Sequence, residues 1–239
     1  IIEFDGEVPV AGKSFSVLVG YAGARNEFAD GALNIAHGIT LKPVLRLGGV
    51  EVSPFIATGR AHNTLPRPIT TINADFIPAI PRKRQYLGQA WAKGSGMNEN
   101  AGVTLKAALG KDLTLRSGLF LSRQIRKRNY TELYAIGPEG APARHRFIAD
   151  PRQQLRSLSG EAMLALRLGG GHRVFAGYRF RDRRAESGGS AFRDYGDVIY
   201  GERDPEPQDS FSFGAISAGQ VKQSALMLCR PGHRVGPKH

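Results

Sequence analysis

Along most of this chain apolar residues recur at every second position. That is the period of a strand with one apolar face, because successive strand side chains point to opposite sides. Ile2, Phe4, Val8 and Val10 share one parity, against Glu3, Asp5 and Glu7 on the other. After Gly12-Lys13 the pattern resumes with Phe15, Val17, Val19 and Tyr21. Ile39, Leu41, Pro43, Leu45 and Leu47 then alternate with Thr40, Lys42 and Arg46. Beyond Gly48-Gly49, Val50, Val52, Pro54 and Ile56 alternate with Glu51, Ser53 and Phe55. A third pair of runs sets Ala101 to Leu109 and Leu113 to Leu121 around Gly110-Lys111-Asp112. A fourth sets Leu158 to Leu168 and Val174 to Phe180 around Gly169-Gly170-Gly171, and a further run spans Val221 to Leu228.

The connections alternate between very short and very long. The Gly-rich turns join the two runs of each pair, whereas polar excursions of roughly 28–38, 63–84, 127–154 and 186–219 join one pair to the next. Structureless loops beyond about 12–15 residues are uncommon in compact domains. Several at the same end of one meander predict an up-and-down sheet with tight turns below and long loops above. Residues 85–100, with Tyr86 and Trp91, read as an upward extension of the fifth strand. Pro43 and Pro54 count against central strand positions, since proline cannot donate to a ladder. The alternation nevertheless continues on both sides of each.

Lys42, Arg46, Glu51, Lys106, Arg116, Glu161, Arg167, Arg173 and Arg179 fall opposite the apolar residues. Parity alone leaves two geometries open. In a soluble sandwich the apolar face turns inward and the charges meet water. In a membrane barrel the apolar face meets lipid and the charges line the lumen. Strand length favours the membrane, because globular strands are mostly about 5–6 residues long and these runs reach ten or more. The expected fold is all-β: an antiparallel up-and-down meander of about nine strands, forming a partial transmembrane β-barrel.

Composition fits that reading. The 239 residues are 41% hydrophobic with 30 glycines and no evident break between domains. Mean hydropathy is only −0.28, as expected when each crossing strand carries a half-apolar segment. No run of about 18 apolar residues exists to cross a membrane as a helix. The net charge of +12 is spread over many strands and loops, without a basic helix or an aromatic RNA-binding motif, so nucleic acid is not an expected partner. Cys229 alone can make neither an intrachain disulfide nor a cysteine-built metal site.

Candidate chemistry is sparse. The chain contains no HExxH, GxSxG or GxxxxGK sequence, so no enzyme activity and no cofactor are expected. Six histidines are scattered without metal-ligand spacing, and those in loops are expected to be solvated. Asp194 and Asp197, near Tyr195 and Tyr200, read as a solvated loop face with some capacity for ligand contact. Arg126-Lys127-Arg128-Asn129-Tyr130 is the sharpest basic cluster, suited to lipid phosphates or an anionic ligand and equally to a solubilising strand end.

Several fragments resemble one family. Arg146-Phe147-Ile148-Ala149-Asp150-Pro151 followed by Ser157-Leu158-Ser159-Gly160-Glu161 is similar to the mid-barrel of TonB-dependent outer-membrane receptors of the iron-complex type. So are Gly118-Leu119-Phe120-Leu121-Ser122 with Asn129-Tyr130, Phe211-Ser212-Phe213-Gly214, and Gln220-Val221-Lys222-Gln223. The resemblance covers about 1–228. It implies a barrel of about 22 strands with a plugged lumen, a substrate bound at the outer loops and plug apex, and import driven by the TonB complex. Plug, TonB box and an aromatic-ended last strand have no counterpart in these residues, so coupling is expected through parts absent from this chain. Residues 229–239 lose alternation and read as a non-native tail, such as a frameshift leaves.

The resemblance implies the cell outer membrane as location, outer-membrane lipid and lipopolysaccharide as surroundings, and uptake of an iron-siderophore complex or similar scarce nutrient. Arg60, Arg123, Arg126, Arg179 and Arg181 are the candidate ligand-binding cations, read as lumen or loop groups facing an anionic chelate. A passive porin and a soluble adhesive β-sheet protein remain the alternatives.

Overall fold

In the computed structural model residues 1–72, 82–127, 129–138, 141–168, 172–207 and 210–229 are described. They form thirteen strands: β1 (Ile2–Ala11), β2 (Phe15–Glu27), β3 (Leu33–Leu47), β4 (Val50–Leu65), β5 (Ile69–Ile72), β6 (Gly94–Ala108), β7 (Leu113–Arg126), β8 (Asn129–Ile136), β9 (Ala143–Asp150), β10 (Gln153–Arg167), β11 (Arg173–Gly188), β12 (Ala191–Val198) and β13 (Ile216–Cys229). Nine of them make one sheet in the order β1-β2-β3-β4-β6-β7-β10-β11-β13, and the other four make a second sheet, β12-β9-β8-β5. Every pairing in the large sheet is antiparallel between strands that follow one another along it. The meander and its strand number are therefore as expected from alternation.

The register shows which residues share a face. One transverse row runs Leu45, Val52, Leu105, Ser117, Ala162, Tyr178, Leu226, and the row above the next runs Leu41, Ile56, Ala101, Leu121, Leu158, Asp182, Lys222. These rows form the apolar face, and it is bare: Ile56 is 56% exposed, Leu121 52% and Leu226 86%. Among the described residues no second layer covers it. The opposite face is the more enclosed, with Ser16 and Ser53 almost fully buried beneath a charged lattice. There Arg46 meets Glu7 at 3.6 Å and Glu51 at 3.2 Å and donates to Ser16 Oγ at 3.1 Å. A soluble sandwich would have hidden the Leu/Val/Ile rows, because a contiguous apolar patch this large is not tolerated in water. Among the described residues the face stays uncovered, as in the barrel arrangement of the two geometries that parity left open.

From β2 to β11 each strand of the large sheet gives the band four or five outward positions, such as Leu47, Leu45, Pro43, Leu41 and Ile39 in β3, and β13 gives three among the described residues. That matches a crossing strand of about 9–11 residues. The upper edge of the band is marked by the first charged or imidazole side chain on the outward parity. It is Arg25 in β2, His37 in β3, Arg60 in β4, Glu99 in β6, Arg123 in β7, Arg156 in β10, Asp182 in β11 and Lys222 in β13. In register terms this edge descends steadily from β2 to β13. Above it the strands continue as polar ribbons, which is why they outrun the alternating segments by several residues.

Pro43 and Pro54 are accommodated by standing opposite each other. The β3–β4 ladder pauses between Leu41↔Ile56 and Leu45↔Val52 and resumes in the same register. Two missing donors thus fall in one gap, while Val17↔Pro43 and Pro54↔Val103 keep the outer neighbours aligned. At the lower end, Gly12 and Gly48 turn the chain with φ of 52° and 58°, in the left-handed region that favours glycine. The Gly169-Gly170-Gly171 turn lies outside the described residues. So do residues 230–239, whereas Cys229 is the last residue of β13, opposite Phe175.

The long connections are not structureless. They carry β5, β8, β9 and β12, and the main hydrophobic cluster of the chain lies there, outside the large sheet: Ala92, Phe147, Ala149 and Ala191, packed by Trp91, Tyr130, Tyr195, Phe211 and Phe213. The first excursion shrinks to residues 28–32 because β2 and β3 extend upward. Residues 85–93 are no strand extension but a folded loop that delivers Trp91 into this cluster.

An outward Leu119→Arg substitution, in the middle of the apolar band, is expected to destabilise the full-length protein by about 2–4 kcal/mol in a bilayer. Ser122→Arg, on the enclosed face, is expected to change stability far less. Urea titration followed by the heat-dependent shift in gel mobility measures both.

Candidate functional site

Two structures above and inside the wall can meet a solute. The first is a groove of about 680 Å³ on the enclosed face of β7, β10, β11 and β13. Alternation places there Phe120, Ser122, Leu155, Ser157, Ser159, Glu161, Arg179, Arg181, Gln223 and Ala225. Arg179 Nη2 lies 3.0 Å from Glu161 Oε2, and Arg181 Nε donates to Ser157 Oγ at 3.3 Å. Ser122 donates to Asn100 Oδ1 at 2.7 Å. Neither guanidinium is saturated by these contacts, and Arg179 stays 63% exposed. The groove therefore offers two cationic forks flanked by hydroxyls and one aromatic ring, a surface suited to a planar, oxygen-rich anion.

The five candidate arginines do not converge. Arg179 and Arg181 share this groove. Arg126 has the same facing parity at the top of β7 and borders a separate cavity with Asn63 and Asn129. Arg60 and Arg123 face the other way. Arg60 continues the parity of Val50, Val52, Pro54 and Ile56, and Arg123 that of Leu119 and Leu121. Both leave the lumen set: two-residue periodicity carries them to the outward face, above the apolar band. Arg123 is fixed there by Gln154 Oε1 at 3.1 Å and Glu99 Oε2 at 3.5 Å.

The second structure is the folded loop cap. Its centre is His145 on β9, fully buried. Its ring stacks on Tyr134 at 4.3 Å and on Tyr195 at 5.2 Å. Nδ1 faces Asp204 Oδ2 at 3.1 Å and Nε2 faces Glu132 Oε1 at 3.4 Å. Buried carboxylates need donors, and Glu132 has them: the Gln89 backbone N–H at 2.9 Å and the Tyr134 hydroxyl at 3.2 Å. Gln89 in turn donates to the Glu202 carbonyl at 2.8 Å and accepts from the Asp204 N–H at 3.0 Å, and Trp91 Nε1 donates to the Asp204 carbonyl at 3.0 Å. These bonds tie residues 85–93 and 199–207 onto β8 and β9. Burial, helped by the charge of Glu132, pushes the Tyr86 and Tyr134 hydroxyls well above their ordinary range, so both stay protonated as donors. Tyr86 donates to the Pro66 carbonyl at 2.7 Å.

The expectation of solvated loop histidines thus fails at His145, whose neighbours Glu132 and Tyr134 come from its own excursion and Tyr195 and Asp204 from the last one. Asp194 and Asp197 are no free ligand pair either. Arg144 bonds Asp194 at 2.8 Å and Asp197 at 3.3 Å, and Arg146 reaches Asp194 at 3.4 Å. The Gly196 N–H, donated at 2.8 Å, and the Arg144 fork hold the Asp194 carboxyl below the usual range. Hydrogen bonds to Asp194 and Asp197 raise Arg144 further. In the basic cluster, Arg128 lies outside the described residues, while Tyr130 packs against Phe147 at 4.9 Å.

No family model matches the chain, and no curated protein matches it. Among solved structures it is similar to the ferric-catecholate import receptor Fiu from E. coli K12 in its open form, with a TM-score of 0.75 and 16% identity over 94% of this chain. The closed form of that receptor gives the same TM-score and identity over 95% of this chain. The chain spans 38% and 36% of those two structures. At that identity the likeness carries the fold, and the all-β antiparallel meander of a partial barrel expected from the sequence is borne out.

Glu132→Ala would strand the Gln89 N–H and the Tyr134 hydroxyl, each buried polar group costing about 1–3 kcal/mol. Hydrogen exchange is expected to accelerate across residues 85–93 and 199–207 and to stay unchanged in β10 and β11. Asp194 provides a pH test. Its folded carboxyl is depressed, so its contribution to the β9–β12 ribbon is complete above the unfolded value of about 3.9 and is lost as pH falls through the folded value. The Gly196 amide is expected to lose exchange protection in that acidic window, and Asp194→Asn to abolish the dependence.

Proposed function

We propose that the chain forms part of the wall and loop cap of an outer-membrane receptor of the TonB-dependent type, one that takes up an anionic metal chelate. The observation that carries this reading is the pairing of a bare apolar face with an enclosed, arginine-bearing face beneath a folded cap. Similarity to the ferric-catecholate import receptor Fiu supports the substrate class. A catecholate complex presents a cluster of anionic oxygens on flat rings. Arg179 and Arg181 supply forked donors to such oxygens, and Phe120 supplies a ring for stacking. No bond is made or broken in this role; the protein binds, orients and releases.

The cap gives the binding step its polar entry. Its inner aromatic cluster keeps β8, β9 and β12 in place, so residues above the groove act as a shaped mouth. Energy for release would come from the TonB complex, through parts of the receptor other than these residues.

Uptake of radiolabelled iron catecholate by iron-starved cells expressing the full-length protein tests this. Arg179→Gln with Arg181→Gln is expected to lower apparent affinity about tenfold or more, given roughly 1.5–3 kcal/mol per charge-assisted bond. Dissipating the proton-motive force is expected to abolish uptake. Uptake that continues without it would identify a passive porin, and recovery of the protein in the soluble fraction would overturn the barrel reading altogether.

A further inference from the structure

On the outward face, immediately above the apolar band, Arg123, Arg156 and Arg184 stand directly opposite one another on β7, β10 and β11. Cross-strand neighbours of this kind are about 4.5–5.5 Å apart at Cβ, and like charges there are destabilising. The wall supplies little compensation. Arg123 meets Glu99 at 3.5 Å and the neutral Gln154 at 3.1 Å, Arg184 reaches Glu186 only at 4.0 Å, and Arg156 contacts the same Gln154 at 3.5 Å. Asp182 is one row below, and its two oxygens accept from Gln220 at 2.9 and 3.1 Å. Arg156 has no acidic partner among the described residues, Arg184 is 63% exposed and Arg123 33%, so the line of three guanidinium groups keeps donors available to an external anion. Directly beneath them on the same face are Leu121 and Leu158, 52% and 40% exposed.

We infer that this row is a binding site for a phosphate-bearing lipid of the surrounding leaflet, its phosphates held by Arg123, Arg156 and Arg184 and its acyl chains lying on Leu121 and Leu158. Charge and apolar surface adjoin at one line, and a lipid places its phosphate and its chains at the same line. A free anion in water would use the arginines and gain nothing from the leucines. Arginine suits the role because its planar fork binds phosphate in two-pronged fashion. The row also explains why Arg123 does not point into the lumen: on this face it completes a triad that alternation alone could not reveal, because its members lie far apart in sequence. The assignment rests on the membrane orientation proposed above.

The test uses the full-length protein extracted from membranes into a phosphate-free maltoside and stripped of lipid. Native mass spectrometry then titrates diphosphoryl lipid A, its dephosphorylated form and inorganic phosphate. Diphosphoryl lipid A is expected to bind at least about tenfold more tightly than the dephosphorylated form, with inorganic phosphate a weak competitor. Arg123→Gln, Arg156→Gln and Arg184→Gln together are expected to remove that preference, while Arg179→Gln with Arg181→Gln leaves it intact. Arg156→Lys, with charge kept and fork lost, is expected to fall between wild type and the triple variant. Heat-dependent gel mobility confirms that each variant is folded. Equal binding of phosphorylated and dephosphorylated lipid, or no loss in the folded triple variant, overturns the site. Full displacement by low millimolar inorganic phosphate also overturns it, in favour of a free-anion site. Recovery of the protein outside the membrane would instead overturn the barrel reading, so the two failures are distinguishable.

Discussion

The constraint on which the whole structure depends is that paired backbones leave side chains only two directions. In hydrocarbon every backbone N–H and C=O must find a partner within the protein, and an antiparallel ladder does this for each strand through its two neighbours. Once the ladder is fixed, so is facing, and a one-residue slip would turn every leucine of a strand into the lumen. The register of the nine-stranded sheet runs from β1 to β13 with few irregularities, the bulge at Pro9/Ala11 and the Pro43–Pro54 gap among them. The band of lipid-facing residues, the charged inner lattice and the outward arginine row are all readings of that single register.

The loop cap obeys a different rule. Its strands are short and its order comes from side chains: a stacked His145 between two tyrosines, a carboxylate on each side of the ring, and Gln89 bridging to residues 199–207. His145 Nε2 lies against Glu132 without a hydrogen bond. Glu132, Tyr134, Gln89 and Asp204 are bonded to one another, and a satisfied buried polar network orders a structure instead of weakening it. The wall can tolerate drift in any one leucine, since neighbours on the face are equivalent to lipid. The cap cannot tolerate the loss of Glu132 or Gln89 so easily, because each has several partners and no substitute nearby.

The difference decides what was legible in the sequence. Alternation exposed the wall strands at Leu41, Leu121 or Leu164, because a half-apolar strand carries its facing in its own residues. It missed the upper reaches of β4, β10 and β11, where both faces are largely polar and parity has little to contrast. It missed β5, β8, β9 and β12 for the same reason, since in Thr131-Glu132-Leu133-Tyr134 and Arg144-His145-Arg146-Phe147 the buried positions include a glutamate and a histidine. Alternation is in fact present there, as Ala143, His145, Phe147 and Ala149 are the buried set, and allowing polar aromatics into the apolar class would have found β9. Facing of isolated arginines was the least legible: counting from Leu119 and Leu121 places Arg123 outward, as the structure has it, whereas the expected ligand set groups it with lumen or loop cations.

The descending edge of the apolar band fixes how the molecule stands. A membrane surface is flat, so the first charged outward residues from Arg25 in β2 to Lys222 in β13 mark a level line drawn across the sheet. Between those two strands the edge drops three transverse rows, two residues to a row, over seven strand-to-strand steps. At about 3.3 Å per residue along a strand and 4.8 Å between strands, the strands lean roughly 30° from the bilayer normal. Outer-membrane barrels lean about 35–45°, so the lipid itself, through the placement of seven or eight charges, has written the inclination of the wall into its amino-acid order.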